Sequence, residues 1–180
     1  MNKDIDVTGW DLRTKRLRLR PWREEDLQDF YNYASVPGVG EMAGWKHHKD
    51  LVESERILRL FIDEKKTLAL DFEGTAIGSI GIERYNEEDY PEMHSAMGRE
   101  LGYVLNKDYW GKGLMVEAAQ AVIDYLFQEE LLEFIVVGHF AENEQSKGVI
   151  KKLGVTYKKD TVFSSPPGDH QGSTYILERV

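Results

Sequence analysis

The chain has 180 residues, of which 41% are hydrophobic and 31% charged, and this composition predicts one soluble globular domain spanning residues 1–180. Its 23 Lys and Arg residues are outnumbered by 32 Asp and Glu residues, so the net charge is −9 and a nucleic-acid partner is disfavoured, because the chain repels a phosphate backbone. The chain has no cysteine, which excludes disulfides, thiolate nucleophiles and Cys-ligated zinc.

The first part of the chain predicts a strand followed by two helices. A loose segment of about residues 1–11 comes first, because it is polar and has no apolar run. Residues 16–20 alternate arginine with leucine, which indicates a strand whose basic side faces solvent. Acidic residues 24–26 then precede apolar residues at helical spacing, and a second helical pattern runs on from Asp50.

The middle of the chain predicts a hairpin and then a strand, a glycine turn and a helix. Thr67 to Phe72 and Ala76 to Tyr85 have the composition of the two hairpin strands. Gly98 to Leu105 predicts a further strand, and the apolar spacing from Met115 to Leu126 predicts a long helix. A glycine turn between a strand and a helix is typical of a ligand-binding site.

The last part of the chain predicts one more helix between strands. Phe134 to His139 is apolar and β-branched, and Gln145 to Leu153 has helical spacing. Thr156 to Phe163 and Ser173 to Leu177 can pair as a closing hairpin. The predicted order is therefore β-α-α-β-β-β-α-β-α-β-β, which indicates a mixed sheet with helices covering its faces.

The turn Gly111-Lys112-Gly113 carries the strongest chemical signal. Its two glycines let the backbone approach a ligand closely, while unpaired N–H groups and the dipole of the following helix favour an anion such as a pyrophosphate. Lys112 adds a positive charge. Taken alone, the turn is also compatible with a tight connection that binds nothing. No metal site is predicted, because the five histidines are scattered along the chain.

Four segments are specific when they are taken together: Thr14 to Pro21, Leu101 to Leu105, Tyr109 to Ala118, and Asn143 with Ser146 and Lys152-Leu153-Gly154. They resemble the GNAT superfamily of acetyl-CoA-dependent N-acetyltransferases, in its ribosomal-protein-alanine N-terminal acetyltransferase (Rim) branch. The resemblance covers roughly residues 12 to 178. It implies an α/β (α+β) fold with a central mixed, mostly antiparallel, splayed β-sheet that is flanked by helices on both faces.

The resemblance also implies acetyl-CoA as the co-substrate and no metal. It places the cofactor-binding residues in the strand before the glycine turn, in the turn itself and before a later helix: Val104, Leu105, Trp110, Gly111, Lys112, Gly113, Leu114, Met115 and Asn143. Trp110 and Met115 stand where the family pattern has Gln or Arg and Gly or Ala. This turn is therefore expected to bind a pyrophosphate mainly through backbone N–H groups.

Three residues are assigned to the chemistry through the resemblance. Glu100 matches a glutamate that can accept the proton of the amine, directly or through water; its alternative role is an ion-pair partner for Arg99 or another basic residue. Ser146 takes the position at which many members have a tyrosine that protonates the departing thiolate. Trp45 lies between the first two helices, where the family places part of its acceptor wall.

The sequence therefore predicts an N-acetyltransferase in which a primary amine attacks acetyl-CoA directly. By resemblance the acceptor is a protein N-terminal α-amine, with a small-molecule amine or a non-catalytic acyl-CoA-binding regulatory module as alternatives. The predicted location is cytoplasmic with no membrane partner, because the sequence shows no signal peptide and no stretch of about 18 apolar residues. A homodimer is left open.

Overall fold

Eight strands pair into one sheet in the computed structural model, which describes residues 1–166 and 168–179 of the chain. The strands are β1 (Leu12–Arg13), β2 (Arg18–Pro21), β3 (Thr67–Phe72), β4 (Thr75–Glu83), β5 (Gly98–Leu105), β6 (Phe134–Phe140), β7 (Thr156–Ser165) and β8 (Gly168–Glu178). Their order across the sheet is β1-β2-β3-β4-β5-β6-β8-β7. β5 and β6 pair in parallel, and the other neighbours pair antiparallel. The prediction of a mixed, mostly antiparallel sheet is confirmed.

Four helices cover the two faces of this sheet within the described residues. They are α1 (Leu27–Ala34), α2 (Leu51–Glu64), α3 (Leu114–Gln128) and α4 (Glu144–Ile150). β3 distinguishes the faces, because consecutive side chains of a strand point to opposite sides. Leu68 and Leu70 pack in the same cluster as α3, whereas Ala69 packs in the cluster of α1 and α2. The prediction of helices on both faces is therefore confirmed.

The local sequence explains where α2 and α3 form. The Asp50 carboxylate accepts a hydrogen bond from the Glu53 N–H at 2.8 Å, which satisfies one of the unpaired donors at the start of α2. In α3, Ala118, Val122 and Leu126 repeat at intervals of four and are fully buried. This apolar stripe fixes the face of α3 that lies against the sheet.

β5 and β6 pair along only half of β5. Residues 98–101 pair with residues 134–137, whereas β4 stays paired with β5 as far as Leu105. Beyond this point β6 follows β8 as far as Phe140. Residues 102–105 therefore lack a partner on the β6 side, and the sheet is splayed between the carboxyl ends of these two strands.

The N-terminal residues, which we expected to be loose, are packed against the sheet. Asn2 forms a bridge with Gly98, and the Val7 N–H donates to the Lys65 carbonyl at 2.9 Å. Val7 and Trp10 are buried in the main core. The segment shows no sequence pattern because each of these residues is anchored to a different part of the fold.

The basic strand β2 also differs from the expectation that its arginines face solvent. Arg20 is 4% exposed, and its guanidinium donates to the carboxylates of Asp26 at 2.7 Å and Asp71 at 2.9 Å. The hydrogen bond to Asp26 raises the pKa of Arg20 above its ordinary value. Two carboxylates make burial of this charge tolerable. The alternating pattern misses them because one comes from β3 and the other precedes α1.

Removing one carboxylate from this cluster should destabilise the fold strongly. Asp26→Ala should lower the free energy of unfolding by about 3 kcal/mol, because it leaves a buried guanidinium with one partner fewer. Urea denaturation followed by circular dichroism measures this change. Asp11→Ala removes the exposed partner of Arg18 and should leave the urea midpoint almost unchanged. Equal midpoints for the two variants would contradict a stabilising role for the buried cluster.

Candidate active site

Two cavities meet at the carboxyl end of β5. The first, the loop cavity, has a volume of about 170 Å³ and is lined by residues 109–111, the start of α3 and α4. The second, the sheet cavity, has a volume of about 330 Å³ and is lined by β5, β6 and the end of β7. The residues that line both are Met42, Ala43, Tyr103, Asn143 and Ser146. Groups held in the two cavities would therefore meet beside these side chains.

The glycine turn and the start of α3 form one wall of the loop cavity. Gly111 and Gly113 have φ angles of +73° and +75°, in the left-handed region that favours glycine. Gly113 directly precedes α3, and no side chain caps the helix, so the N–H groups of its first turn are left for a ligand. These donors and the helix dipole favour an anion. Trp110, Leu114 and Met115, which the sequence predicts to bind the cofactor, line this cavity.

The end of β5 presents main-chain groups to the splayed gap. The Asn106 N–H donates to a carbonyl of β4, so the alternation of an antiparallel ladder turns the backbone groups of Tyr103 and Leu105 to the opposite edge. The Leu105 carbonyl accepts a hydrogen bond from the Trp110 indole at 2.7 Å. Val104 lines the loop cavity, but its backbone groups face β4. The open edge thus belongs to Tyr103 and to the Leu105 N–H.

Lys112 does not line the loop cavity, and an arginine lies close to the turn. The Lys112 ammonium lies 5.0 Å from the centre of the Tyr109 ring, a cation–π contact. Arg16 donates to the Lys112 carbonyl at 2.9 Å and to the Glu117 carboxylate at 2.7 Å. Sequence reasoning missed Arg16 as a residue of the turn, because 96 positions separate it from Lys112.

Asn143 fixes the start of α4 at the border of the two cavities. Its side-chain oxygen accepts a hydrogen bond from the Ser146 N–H at 2.9 Å. Its amide group donates to the Met42 carbonyl at 3.0 Å, which ties α4 to the segment between α1 and α2. Asn143, predicted as a cofactor contact, therefore also has a structural role as a helix cap.

Ser146 faces a tyrosine that sequence reasoning did not select. The Ser146 hydroxyl lies 2.9 Å from the Tyr103 hydroxyl, within hydrogen-bonding distance. Burial raises the pKa of Tyr103 to about 12, so its phenol stays protonated at neutral pH. The signal in the sequence was a tyrosine two residues before the end of a strand that leads to the glycine turn.

Glu100 lies in the sheet cavity, three residues before Tyr103 on β5. Burial, with the negative charges of Glu83 and Asp89, raises the pKa of Glu100 to about 7. Arg99, its alternative partner, points to the other face of the strand, where its guanidinium donates to the Lys3 carbonyl at 2.5 Å. Glu100 is therefore a carboxyl group that can exchange a proton near neutral pH.

Trp45 lines neither cavity. Its ring packs against the cluster of Trp22, Phe30 and Val39, and its centre is 5.1 Å from that of His48. A Cβ atom at Gly40 would collide with this ring. The aromatic residues that line the sheet cavity together with Glu100 and Tyr103 are Phe140, Phe163 and His139. Val104 and Trp110, which line the loop cavity, pack against the same cluster as Trp45. The role of Trp45 in the acceptor wall stays a prediction.

Residues 1–166 and 168–179 contain no group of three or more His, Asp or Glu side chains arranged to hold a metal ion. They also contain no helix with the length and apolar character that crossing a bilayer requires.

Comparison with known proteins identifies the family. The profile of the acetyltransferase (GNAT) domain matches residues 16–156. The chain belongs to the GNAT acetyltransferase family. The uncharacterized N-acetyltransferase YnaD of Bacillus subtilis is 32% identical over 152 residues, which are 80% of this chain and 81% of YnaD. The match confirms the GNAT resemblance and indicates that this chain is an N-acetyltransferase.

Solved structures share the GNAT fold over nearly the whole chain. The ribosomal-protein-S5-alanine acetyltransferase from Vibrio fischeri has a TM-score of 0.72 and 18% identity, covering 94% of this chain and 97% of that one. The microcin C7 self immunity acetyltransferase MccE, in complex with acetyl-CoA and AMP, has a TM-score of 0.75 and 14% identity, covering 98% and 100%. At these identities the likeness establishes the fold alone.

The titration of Glu100 should appear in the pH dependence of stability. Its pKa of about 7 in the folded chain exceeds the ordinary value of 4.5, so the folded state binds more protons between these values and stability falls as pH rises through them. Glu100→Gln should therefore stabilise the GNAT protein at pH 8.5 relative to pH 4, by roughly 3 kcal/mol at most. Urea midpoints at both pH values measure this. An effect of equal size at both would show that the pKa of Glu100 is ordinary.

Proposed function

We propose that this GNAT protein transfers the acetyl group of acetyl-CoA to the N-terminal α-amine of a protein or peptide. The observation that carries the proposal is the junction of the two cavities. An anion-binding turn lies on one side, Glu100 lies on the other, and the hydroxyls of Tyr103 and Ser146 stand between them. Donor, base and proton source are thus supplied in one place.

The loop cavity fits the pyrophosphate and the arm of acetyl-CoA. Gly111, Gly113 and the first turn of α3 would hold the pyrophosphate through N–H groups, because no side chain occupies these donors. The arm of acetyl-CoA would lie along the open edge of β5 like an added strand. Its hydrogen-bond partners would be the backbone groups of Tyr103 and Leu105. Bound acetyl-CoA supplies a thioester carbonyl for attack by an amine. The complex of MccE with acetyl-CoA supports this assignment.

The basicity of the acceptor favours an α-amine. With an ordinary pKa near 7.7 to 8.0, about a tenth of an α-amine is neutral at pH 7, whereas a lysine side chain near 10.4 is neutral in under a thousandth of molecules. A carboxylate with a pKa of about 7 is matched to the α-amine, since it can accept that proton without a large free-energy difference. Glu100 is therefore proposed as the base, directly or through water.

The departing thiolate needs a proton, and two hydroxyls are available for it. Ser146 occupies the predicted position, and Tyr103 shares a hydrogen bond with it. A phenol is a stronger acid than an alcohol, so the pair can pass a proton from Tyr103 through Ser146. Because the pKa of Tyr103 is about 12, the pair stabilises the thiolate mainly by hydrogen bonding.

A small-molecule amine is the alternative acceptor. The specific observation that favours it is the likeness to MccE, whose structure contains the small molecule AMP. Thiol release from acetyl-CoA, measured in parallel with short peptides and with small amines, separates the two acceptor classes. The cytoplasmic location and a homodimer stay predictions of the sequence.

Blocking the glycine turn should weaken acetyl-CoA binding. Gly113→Val places a branched side chain at a φ of +75°, where the backbone N–H groups should face the pyrophosphate. Calorimetry should show affinity at least tenfold lower. Gly74→Val is the matched control, because Gly74 has a φ of +88° in the turn between β3 and β4, outside both cavities. If Gly113→Val folds and binds acetyl-CoA with unchanged affinity, the cofactor site lies elsewhere.

Removing the base should slow transfer without affecting cofactor binding. Glu100→Gln keeps the shape of the side chain, so kcat should fall on the order of a hundredfold and recover partly at high pH, where the amine loses its proton unaided. Glu83→Gln provides a comparison, since Glu83 is paired with Glu100 across β4 and β5 and its charge raises the pKa of Glu100. That variant should shift the acid limb of the pH–rate profile to lower pH. An unaltered profile in Glu100→Gln would assign the base to water or another group.

A further inference from the structure

One wall of the sheet cavity is built around the aromatic ring of Phe163. The ring of Phe163 lies over two glycines: a Cβ atom at Gly138 would be 2.7 Å from it, and one at Gly172 would be 2.6 Å from it. These distances are far below a normal contact, so the ring can take its place only because both positions lack a side chain. The ring of Phe163, a residue of β7, therefore packs directly on the backbone of β6 and β8.

A second ring extends this wall. The centres of the Phe140 and Phe163 rings are 5.4 Å apart, and the planes are tilted by 58°. His170 stacks on Phe140, with ring centres 4.3 Å apart and an angle of 8° between the planes. Phe140 is therefore held by rings on two sides. The aromatic wall, which we define as Phe140 and Phe163, is a preformed apolar surface in the sheet cavity.

The charges around the sheet cavity limit what else it can bind. Among the described residues that line it, Glu100 is the one carboxylate, and no lysine or arginine is present. His139 has both ring nitrogens engaged, with the Phe140 carbonyl at 2.9 Å and the Tyr175 hydroxyl at 3.2 Å. A second ammonium group on an acceptor would have to be buried without a partner, which is costly. The lining therefore suits an acceptor with one amine and an apolar remainder.

We propose that the aromatic wall makes this enzyme selective for α-amines whose first side chain is apolar or aromatic. This inference rests on the proposed function and names the acceptor class for the same site. With the amine directed at Glu100 and the junction, a neighbouring apolar side chain loses contact with water against Phe140 and Phe163. A glycine at the first position gains nothing from the wall, and a charged side chain loses hydration there.

The test compares peptides of one sequence that differ only in their first residue, which is Phe, Leu, Gly or Lys. The kcat/KM for acetyl transfer should be at least tenfold higher for the Phe and Leu peptides than for the Gly and Lys peptides. Phe163→Ala should lower the preference for Phe over Gly about tenfold, because the Phe peptide loses its contact with the wall. Val162→Ala is the matched control, because Val162 is the neighbouring, exposed residue of β7 and lines neither cavity.

Several outcomes would overturn the proposal. Equal kcat/KM for all four peptides would do so, as would a preference for Lys, which would indicate cation–π recognition by the rings. A preference for Phe that survives in folded Phe163→Ala would place the selectivity elsewhere. Should Phe163→Ala fail to fold, Phe163→Leu retains the apolar volume and should reduce the preference for Phe more than that for Leu. If the protein binds acetyl-CoA but transfers acetyl to no amine, the proposed function itself is refuted, together with the selectivity of the aromatic wall.

Discussion

The parting of β5 from β6 after Leu101 is the constraint on which the rest of the site depends. If the parallel pair continued to Leu105, it would satisfy the outward backbone groups of Tyr103 and Leu105 and fill the space of the sheet cavity. β6 instead follows β8, and unpaired main-chain groups remain at the open edge. The uncapped start of α3 adds further free donors at the same point. The site is therefore built first from backbone geometry, and side chains refine it.

The electrostatic potential at the glycine turn differs in sign from the net charge of the whole chain. The protein carries a net charge of −9, which by itself repels an anionic ligand. At the glycine turn, however, the dipole of α3 and the Arg16 guanidinium supply positive charge, and Arg16 is held there by Glu117. On the other side of the junction, burial and the negative charges of Glu83 and Asp89 raise the pKa of Glu100. One strand thus separates a region suited to phosphate from one suited to an amine.

The sequence predicted those features that depend on neighbouring residues. Alternating and helical patterns locate the strands and helices, and the glycine turn marks the start of α3, because these signals act over one or two turns of chain. The sequence did not predict contacts between distant segments. Arg20 is buried because Asp26 and Asp71 reach it, and Trp45 enters the α1–α2 cluster because Gly40 leaves room for its ring. For the candidate site, the sequence selected residues of β5 and of the turn. It did not select the aromatic wall, since β6, β7 and β8 must first be assembled.

Tyr103 on β5 places a phenol beside Ser146 on α4. The resemblance places a tyrosine at the position of Ser146. Serine has a hydroxyl but no phenol. In this protein a phenol comes from β5, where the Tyr103 hydroxyl lies 2.9 Å from that of Ser146. Asn143 sets the position of Ser146 by capping α4, so the hydrogen bond depends on backbone geometry on both sides. Main-chain groups of β5 left free by the parting of the strands and this pair of hydroxyls therefore lie at the same junction, where the proposed function needs hydrogen-bond donors.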